Sequence, residues 1–168
     1  YRGFYERFLN RFVEEARTLH KLDHPSIVKV RHFERANNTA YVVMDFIDGS
    51  NLKGWLDAKG KAVTETELRQ IFSPLMDALT YVHGENVLHR DLSPLNIMVD
   101  RSGKPWLIDF GAFKSMWQDQ PRRTTVMAAN PAYAPPEQVD EMSGQEHGPF
   151  TDVYALAATM YETVSGRR

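Results

Sequence analysis

The twelve residues from His89 to Asp100 read HRDLSPLNIMVD: a basic pair, an acid, an amide five positions after that acid, and then an apolar run. NIMV and the later run PWLI flank DRSG, a turn composition, so two short strands joined by a tight turn are expected here. On the N-terminal side, apolar residues at Phe8, Leu9, Phe12, Ala16, Leu19 and Leu22 have the spacing of one helical face, and His24-Pro25 ends that helix. IVKVRHF (27–33) and AYVVMDF (40–46) read as strands of a hairpin turning in RANNT. A short helix near Leu52 to Leu56 follows DGSN, and a long one from Thr66 to His83 is closed by Gly84, with a kink or weakened turn expected at Pro74. Helical signal then vanishes from Asp109 to Phe150, a stretch long enough to be functional. A last helix, capped by Thr151 or Asp152, carries Val153, Leu156, Ala157, Met160, Tyr161 and Val164 and is apolar enough to be buried.

Composition narrows the function classes. A chain of 168 residues that is 42% hydrophobic has the size of one domain with a real core. The net charge of -2 supplies no cationic field for nucleic acid or a membrane surface, and Arg122-Arg123 is the only basic doublet besides the terminal pair. No cysteine is present, which excludes disulfides and thiolate metal sites. No apolar run approaches the roughly 20 residues that span a bilayer, and no signal peptide is visible. HKLDH sets His20 and His24 one helical turn apart, as a zinc pair would be, but it lacks the adjacent glutamate and Pro25 breaks the helix.

Four motifs in order then carry a resemblance. HRDLSPLNI resembles the catalytic loop of eukaryotic-type (Hanks-type) protein kinases, H-R-D-L-x-x-x-x-N. DFG begins 18 residues after Asp91, YAPPEQ stands where that family has A-P-E, and TDVYALAATMYE resembles its central helix, which begins with an aspartate. HRD-ISP variants and YAPPEQ endings are most similar to the bacterial Ser/Thr protein kinases. The resemblance implies an α+β, protein-kinase-like bilobal fold, present in part. Residues 1–47 would be the remainder of the small lobe and 48–168 most of the helical large lobe. The implied activity is transfer of the γ-phosphate of Mg-ATP to Ser/Thr hydroxyls of protein substrates.

Residue by residue, the resemblance makes Asp91 the group that orients or accepts the substrate proton. Asn96 and Asp109 become ligands of Mg²⁺, whose preference for hard oxygen donors suits both. Met44 would be the gatekeeper of an ATP site, the backbone of Asp45 and Ile47 would bond adenine, and Met98 would floor its pocket. Glu15 lies on the core-facing stripe where Glu14 does not, and is the candidate for the helix glutamate that pairs with the ATP-gripping lysine. His89 and Phe110 are expected to be structural, stacked with Leu19 and Val30. Arg90 resembles the arginine of kinases switched by phosphorylation between DFG and PPE, with Thr124 and Thr125 as acceptors.

Departures temper the resemblance. No G-x-G-x-x-G loop and no V-A-I-K lysine precede Glu15, and the later helices of the large lobe, with the basic partner of Glu137, do not follow. The missing strands are expected before Tyr1, and this piece alone is expected to be inactive. Ser93 replaces the usual lysine two after the catalytic aspartate, and Asn130 replaces the usual threonine. Two alternatives stand beside the kinase: a pseudokinase or scaffold, which intact Asp91, Asn96 and Asp109 argue against, and a small-molecule kinase, which would lack the PPE segment and DVY helix. A cytoplasmic location is expected, compatible with a membrane tether outside these residues.

Overall fold

The computed structural model describes residues 2–110, 133, 135 and 148–166; for residues 2–5, 7, 8, 11 and 15 the backbone alone is described. Thr124, Thr125, Asn130 and Glu137 lie outside the described residues, as does the side chain of Glu15. The order is α1 (Arg2–Lys21), β1 (Val30–Ala36), β2 (Thr39–Met44), β3 (Gly49–Asn51), α2 (Leu52–Lys59), α3 (Glu65–Gly84), β4 (Ile97–Asp100), β5 (Pro105–Leu107) and α4 (Pro149–Ser165).

Helix α3 organises the core. Ile71, Phe72, Leu75, Ala78, Leu79 and Val82 fall on one face at helical spacing and are all buried. Its start is fixed by a capping box: Thr64 Oγ1 accepts from the Glu67 N–H (3.3 Å), and the Glu67 carboxylate accepts from the Thr64 N–H (2.9 Å). Lys59 also bonds Glu67, and Lys59 first and Thr64 second hold that carboxyl at about 2. Pro74 sits inside the helix, which continues through it.

The β1–β2 hairpin turns on Asn37 and Asn38, both at positive φ (50° and 58°), the conformation a two-residue primed turn demands and asparagine tolerates. Helix α1 lays Leu9, Phe12 and Ala16 towards it. The α1–β1 connection is tied to the rest of the molecule at two places. Val28 N donates to Leu107 O (3.0 Å) and Leu107 N to Ser26 O (2.8 Å), while Asp23 N donates to the Tyr81 hydroxyl (3.1 Å) on α3.

A second sheet has the order β3-β4-β5, antiparallel throughout. Strand β3 falls within DGSN, where the sequence announces no element; it has three residues and no apolar alternation to mark it. Gly49 is required there, because a Cβ would lie 2.1 Å from Val99 O on β4. Asn51 ends β3 and caps α2 by accepting from the Gly54 N–H (2.8 Å).

The start and the buried face of α4 differ from the sequence expectation. It begins at Pro149, with Gly148 as the cap, rather than at Thr151 or Asp152; proline at the first helical position has no N–H to leave unpaired. Thr151, Asp152, Ala155, Leu156, Thr159 and Thr163 face inward, whereas Val153, Tyr161 and Val164 are exposed. The polar anchor at Asp152 sets the rotation of the helix, and its apolar residues follow. Small residues at 155, 159 and 163 permit the burial, and the Thr159 and Thr163 hydroxyls donate to carbonyls four residues back.

Leu75→Ala in the full-length protein is expected to cost about 2–5 kcal/mol in urea unfolding. Met76→Ala, one position round the helix on the exposed side, is expected to stay within about 0.5 kcal/mol.

Candidate active site

The loop from His89 to Asn96 is held from below by one carboxylate. Asp152, fully buried, accepts from the N–H of His89 (2.8 Å) and of Arg90 (2.7 Å) and from His83 Nε2 (2.8 Å). Two of these donors are backbone groups that would otherwise be buried without a partner. The anchor also accommodates strain, since Arg90 takes φ 63°, a left-handed conformation costly for a side chain with a Cβ.

His89 is fully buried and keeps a structural role. Its Nε2 lies 3.0 Å from Ile108 O, so it must donate there; its Nδ1 then accepts from the Asp91 N–H (3.3 Å). Burial pushes its pKa down, against the Asp152 carboxylate and the Ile108 bond, and the neutral ring this favours is the form that can do both. Phe110 packs on this ring at 4.5 Å between centroids. Phe110, Leu19 and Val30 line one cavity, so the structure brings the expected stacking residues to one place.

Asn96 closes the loop on itself. Its Nδ2 donates to both the Asp91 carbonyl and Asp91 Oδ2, each at 2.8 Å, and this turns its own Oδ1 the opposite way. Asn96 immediately precedes β4, and Asp109 follows β5 by two residues. The β4–β5 hairpin therefore brings them together: Ile97 pairs with Leu107, and Ile108 N donates to Asn96 O (3.1 Å) as a further rung. Asp109, at φ 51°, is exposed. Two hard oxygen donors, an amide and a carboxylate, suit Mg²⁺, which keeps most of its shell for water and phosphate. The donor set fits the expected ion.

Asp100 stabilises the far end of that hairpin. Its Oδ1 accepts from the Ser102 N–H (2.9 Å), the Ser102 hydroxyl (2.6 Å) and the Lys104 N–H (3.1 Å), and its Oδ2 from Trp106 Nε1 (2.9 Å). Burial works to raise its pKa, and the bonds from Ser102, Trp106 and Lys104 outweigh it, holding it at about 2.

Met44 and Asp109 line the same apolar cavity of about 500 Å³ between α1 and the β1–β2 hairpin. Asp45 and Ile47 follow in the connection to β3, and Met98 is half-buried in β4; none of these three lines that cavity. The Asp45 N–H is used by Lys29 O (2.9 Å), and the Asp45 carboxylate makes a two-pronged pair with Arg31 (2.6 and 2.7 Å). Ser93 is only 3% exposed, enclosed by its own loop. His20 and His24 do not form a metal pair: His20 Nδ1 bonds Val30 O, His24 Nδ1 accepts from Ser26 N, and no cluster of metal-ligating side chains occurs among the described residues.

The family described as a protein kinase domain matches residues 4–168. The chain belongs to that family. The serine/threonine-protein kinase PrkC of Bacillus subtilis is 29% identical over 160 residues, 95% of this chain and 24% of the relative. A solved structure described as the PpkA-294 apo form superposes with a TM-score of 0.82 at 34% identity, over 98% of this chain and 56% of that one. Rad53 1-466 in complex with AMP-PNP gives 0.73 at 27% identity, over 96% of this chain and 39% of that one. The kinase domain here thus spans from about a quarter to little more than half of the chains it matches. Its α+β fold is the kinase fold in part.

Sequence reasoning assigned no role to His83 or Asp100 in this kinase domain. His83 closes a helix and Asp100 opens a turn, both ordinary places for such residues; their partners lie on other elements or depend on the hairpin register. Asp152→Ala in the full-length protein is expected to leave the His89 and Arg90 N–H groups unpaired, at about 1–3 kcal/mol each, and to abolish phosphorylation; urea unfolding and a kinase assay check this. Asp100 has a folded pKa below the roughly 3.9 of an unfolded aspartate. Its contribution is therefore complete above about pH 4 and is lost as pH falls towards 2. Acid unfolding of Asp100→Asn should lack that part of the dependence.

Proposed function

We propose that the chain is the central part of a Ser/Thr protein kinase that transfers the γ-phosphate of ATP to protein hydroxyls, with residues 1–47 from the small lobe and 48–168 from the large. The observation that carries this is the Asp91–Asn96 pair set against Asp109 across the β4–β5 hairpin. The relatives' names as Ser/Thr kinases and the AMP-PNP held by one structural neighbour support it.

Asp91 orients the substrate hydroxyl and takes its proton as that oxygen bonds to the γ-phosphorus, while the bond to the bridging oxygen of the departing ADP breaks. Asn96 holds Asp91 in place through Nδ2 and presents Oδ1 on its other side. Oδ1 of Asn96 and the Asp109 carboxylate would hold Mg²⁺, which neutralises charge on the phosphate oxygens. Adenine lies against Met44 and Met98 and bonds the backbone at Asp45 and Ile47, and Glu15 pairs with a lysine that grips the phosphates. Arg90 receives a phosphate added at Thr124 or Thr125, which orders the segment by charge-assisted bonds. Ser93, enclosed and uncharged, brings no positive charge to the transferring group as a lysine would, and at 3% exposure its place leaves little room for a lysine ammonium to reach that group.

The test is phosphotransfer from labelled ATP to a protein substrate by the full-length protein. Asp91→Asn is expected to lower the rate by about 10² or more, and Asp109→Asn to abolish it, whereas Ser93→Lys should change it only modestly. Near-wild-type transfer by Asp91→Asn would refute the assignment and favour the scaffold.

A further inference from the structure

The connection from the β1–β2 hairpin to β3 is held at its first residue by backbone and side chain together. Asp45 N donates to Lys29 O (2.9 Å), and the Asp45 carboxylate accepts from Arg31 Nε (2.6 Å) and Nη2 (2.7 Å), one oxygen to each nitrogen. Among the described residues, the carbonyl is then the one backbone group of Asp45 without a partner. The pair depends on an irregularity in β1. Val30 pairs with Met44 and His32 with Val43, so Arg31 is the extra residue of a bulge, a device that re-aims a side chain.

An exposed ion pair ordinarily adds little to stability, and the Arg31 side chain is 63% exposed. A two-pronged guanidinium–carboxylate contact does something else: it fixes direction as well as distance. The bonds from Arg31 hold the Asp45 carboxyl below the usual carboxylate range, so the pair is charged and intact at neutral pH. What it directs is next to the site, since Met44, the residue before Asp45, lines the cavity that Asp109 also lines. The far end of the connection is fixed differently. There Arg101 N donates to Asp48 O (3.1 Å), and the side-chain contact from Arg101 Nε to Asp48 Oδ2 (3.0 Å) lies between two well-exposed groups.

We infer that Arg31 is a positioning residue for the nucleotide: by clamping the Asp45 side chain from β1, it aims the Asp45 carbonyl at the base. A carbonyl held in that direction accepts from the exocyclic amino group of adenine and opposes guanine, whose exocyclic oxygen in the same place is itself an acceptor. The inference rests on the kinase reading and the adenine contacts proposed with it, and it gives that site its selectivity for ATP over GTP. Arg31 touches neither base nor phosphate in this role; it acts through Asp45.

The experiment uses the full-length protein, with kcat and the KM values for ATP, GTP and a peptide substrate measured beside the urea midpoint. Arg31→Ala is expected to raise ATP KM about three- to tenfold, the worth of one weakened hydrogen bond, and to narrow the preference for ATP over GTP. Peptide KM, kcat and the urea midpoint should stay near wild type, which a merely structural role would not allow. Asp45→Ala should raise ATP KM in the same way, although it removes a negative charge where Arg31→Ala removes a positive one. Arg31→Lys, which keeps the charge without the fork, should recover only part of the loss. Arg101→Ala, which leaves the backbone bond to Asp48 in place, should keep the wild-type ATP KM. An unchanged ATP KM in Arg31→Ala, opposite shifts in the two alanine variants, full recovery by Arg31→Lys or an equal rise in Arg101→Ala overturns the inference and leaves the kinase reading intact. Failure of the folded wild-type protein to transfer phosphate from either nucleotide overturns both.

Discussion

The arrangement of the site depends on a buried carboxylate that is fully satisfied. Asp152 reaches from the first turn of α4 to three donors on two other segments, the backbone of His89 and Arg90 and the ring of His83. A lone buried charge would be costly, but here each oxygen accepts at close range. In return the carboxylate fixes the loop's height and direction and holds Arg90 in a backbone state it would otherwise avoid. The same contact orients α4, which explains why that helix buries threonines and alanine while Val153 and Tyr161 face outward.

From that anchor the geometry propagates through hydrogen bonds of known direction. His89 links the loop to the end of β5 through Ile108 and to Asp91 through its own ring, and neutrality of that ring is necessary because one nitrogen donates while the other accepts. The β4–β5 hairpin then converts a sequence separation of 13 residues between Asn96 and Asp109 into proximity. Asp100 and its four donors hold the turn that makes this register possible. Bonds from the 26–28 segment to Leu107 carry the β1–β2 hairpin and α1 on the same frame.

Elements with a strong local period were legible in the sequence: α3 over most of its length, α1 with Leu9, Phe12 and Ala16, and the asparagine turn of the hairpin, whereas the Thr64 cap of α3 emerged only from its bonds to Glu67. Asp91, Asn96 and Asp109 stood out through the resemblance of HRDLSPLNI and DFG to kinase motifs, and the structure joins Asn96 to Asp91 and sets Asn96 and Asp109 at one end of the β4–β5 hairpin. Strand β3 was not, since three residues held by pairing to β4 leave no periodic mark. The start of α4 was misplaced because a threonine and an aspartate at 151 and 152 look like caps, and only the contacts show that both are committed within the helix's first turn and to the loop.

By itself the sequence determined which side chains could do chemistry and which segments would be helical or extended, since these follow from residue type and local spacing. Tertiary structure decided where those side chains meet. That Asn96 spends its nitrogen on Asp91 and turns its oxygen away, and that His83 shares Asp152 with the loop, are outcomes of the folded backbone. Hydrogen-bond partners separated by more than 60 residues leave no periodic trace in a chain, and only the folded backbone brings their donors and acceptors within reach.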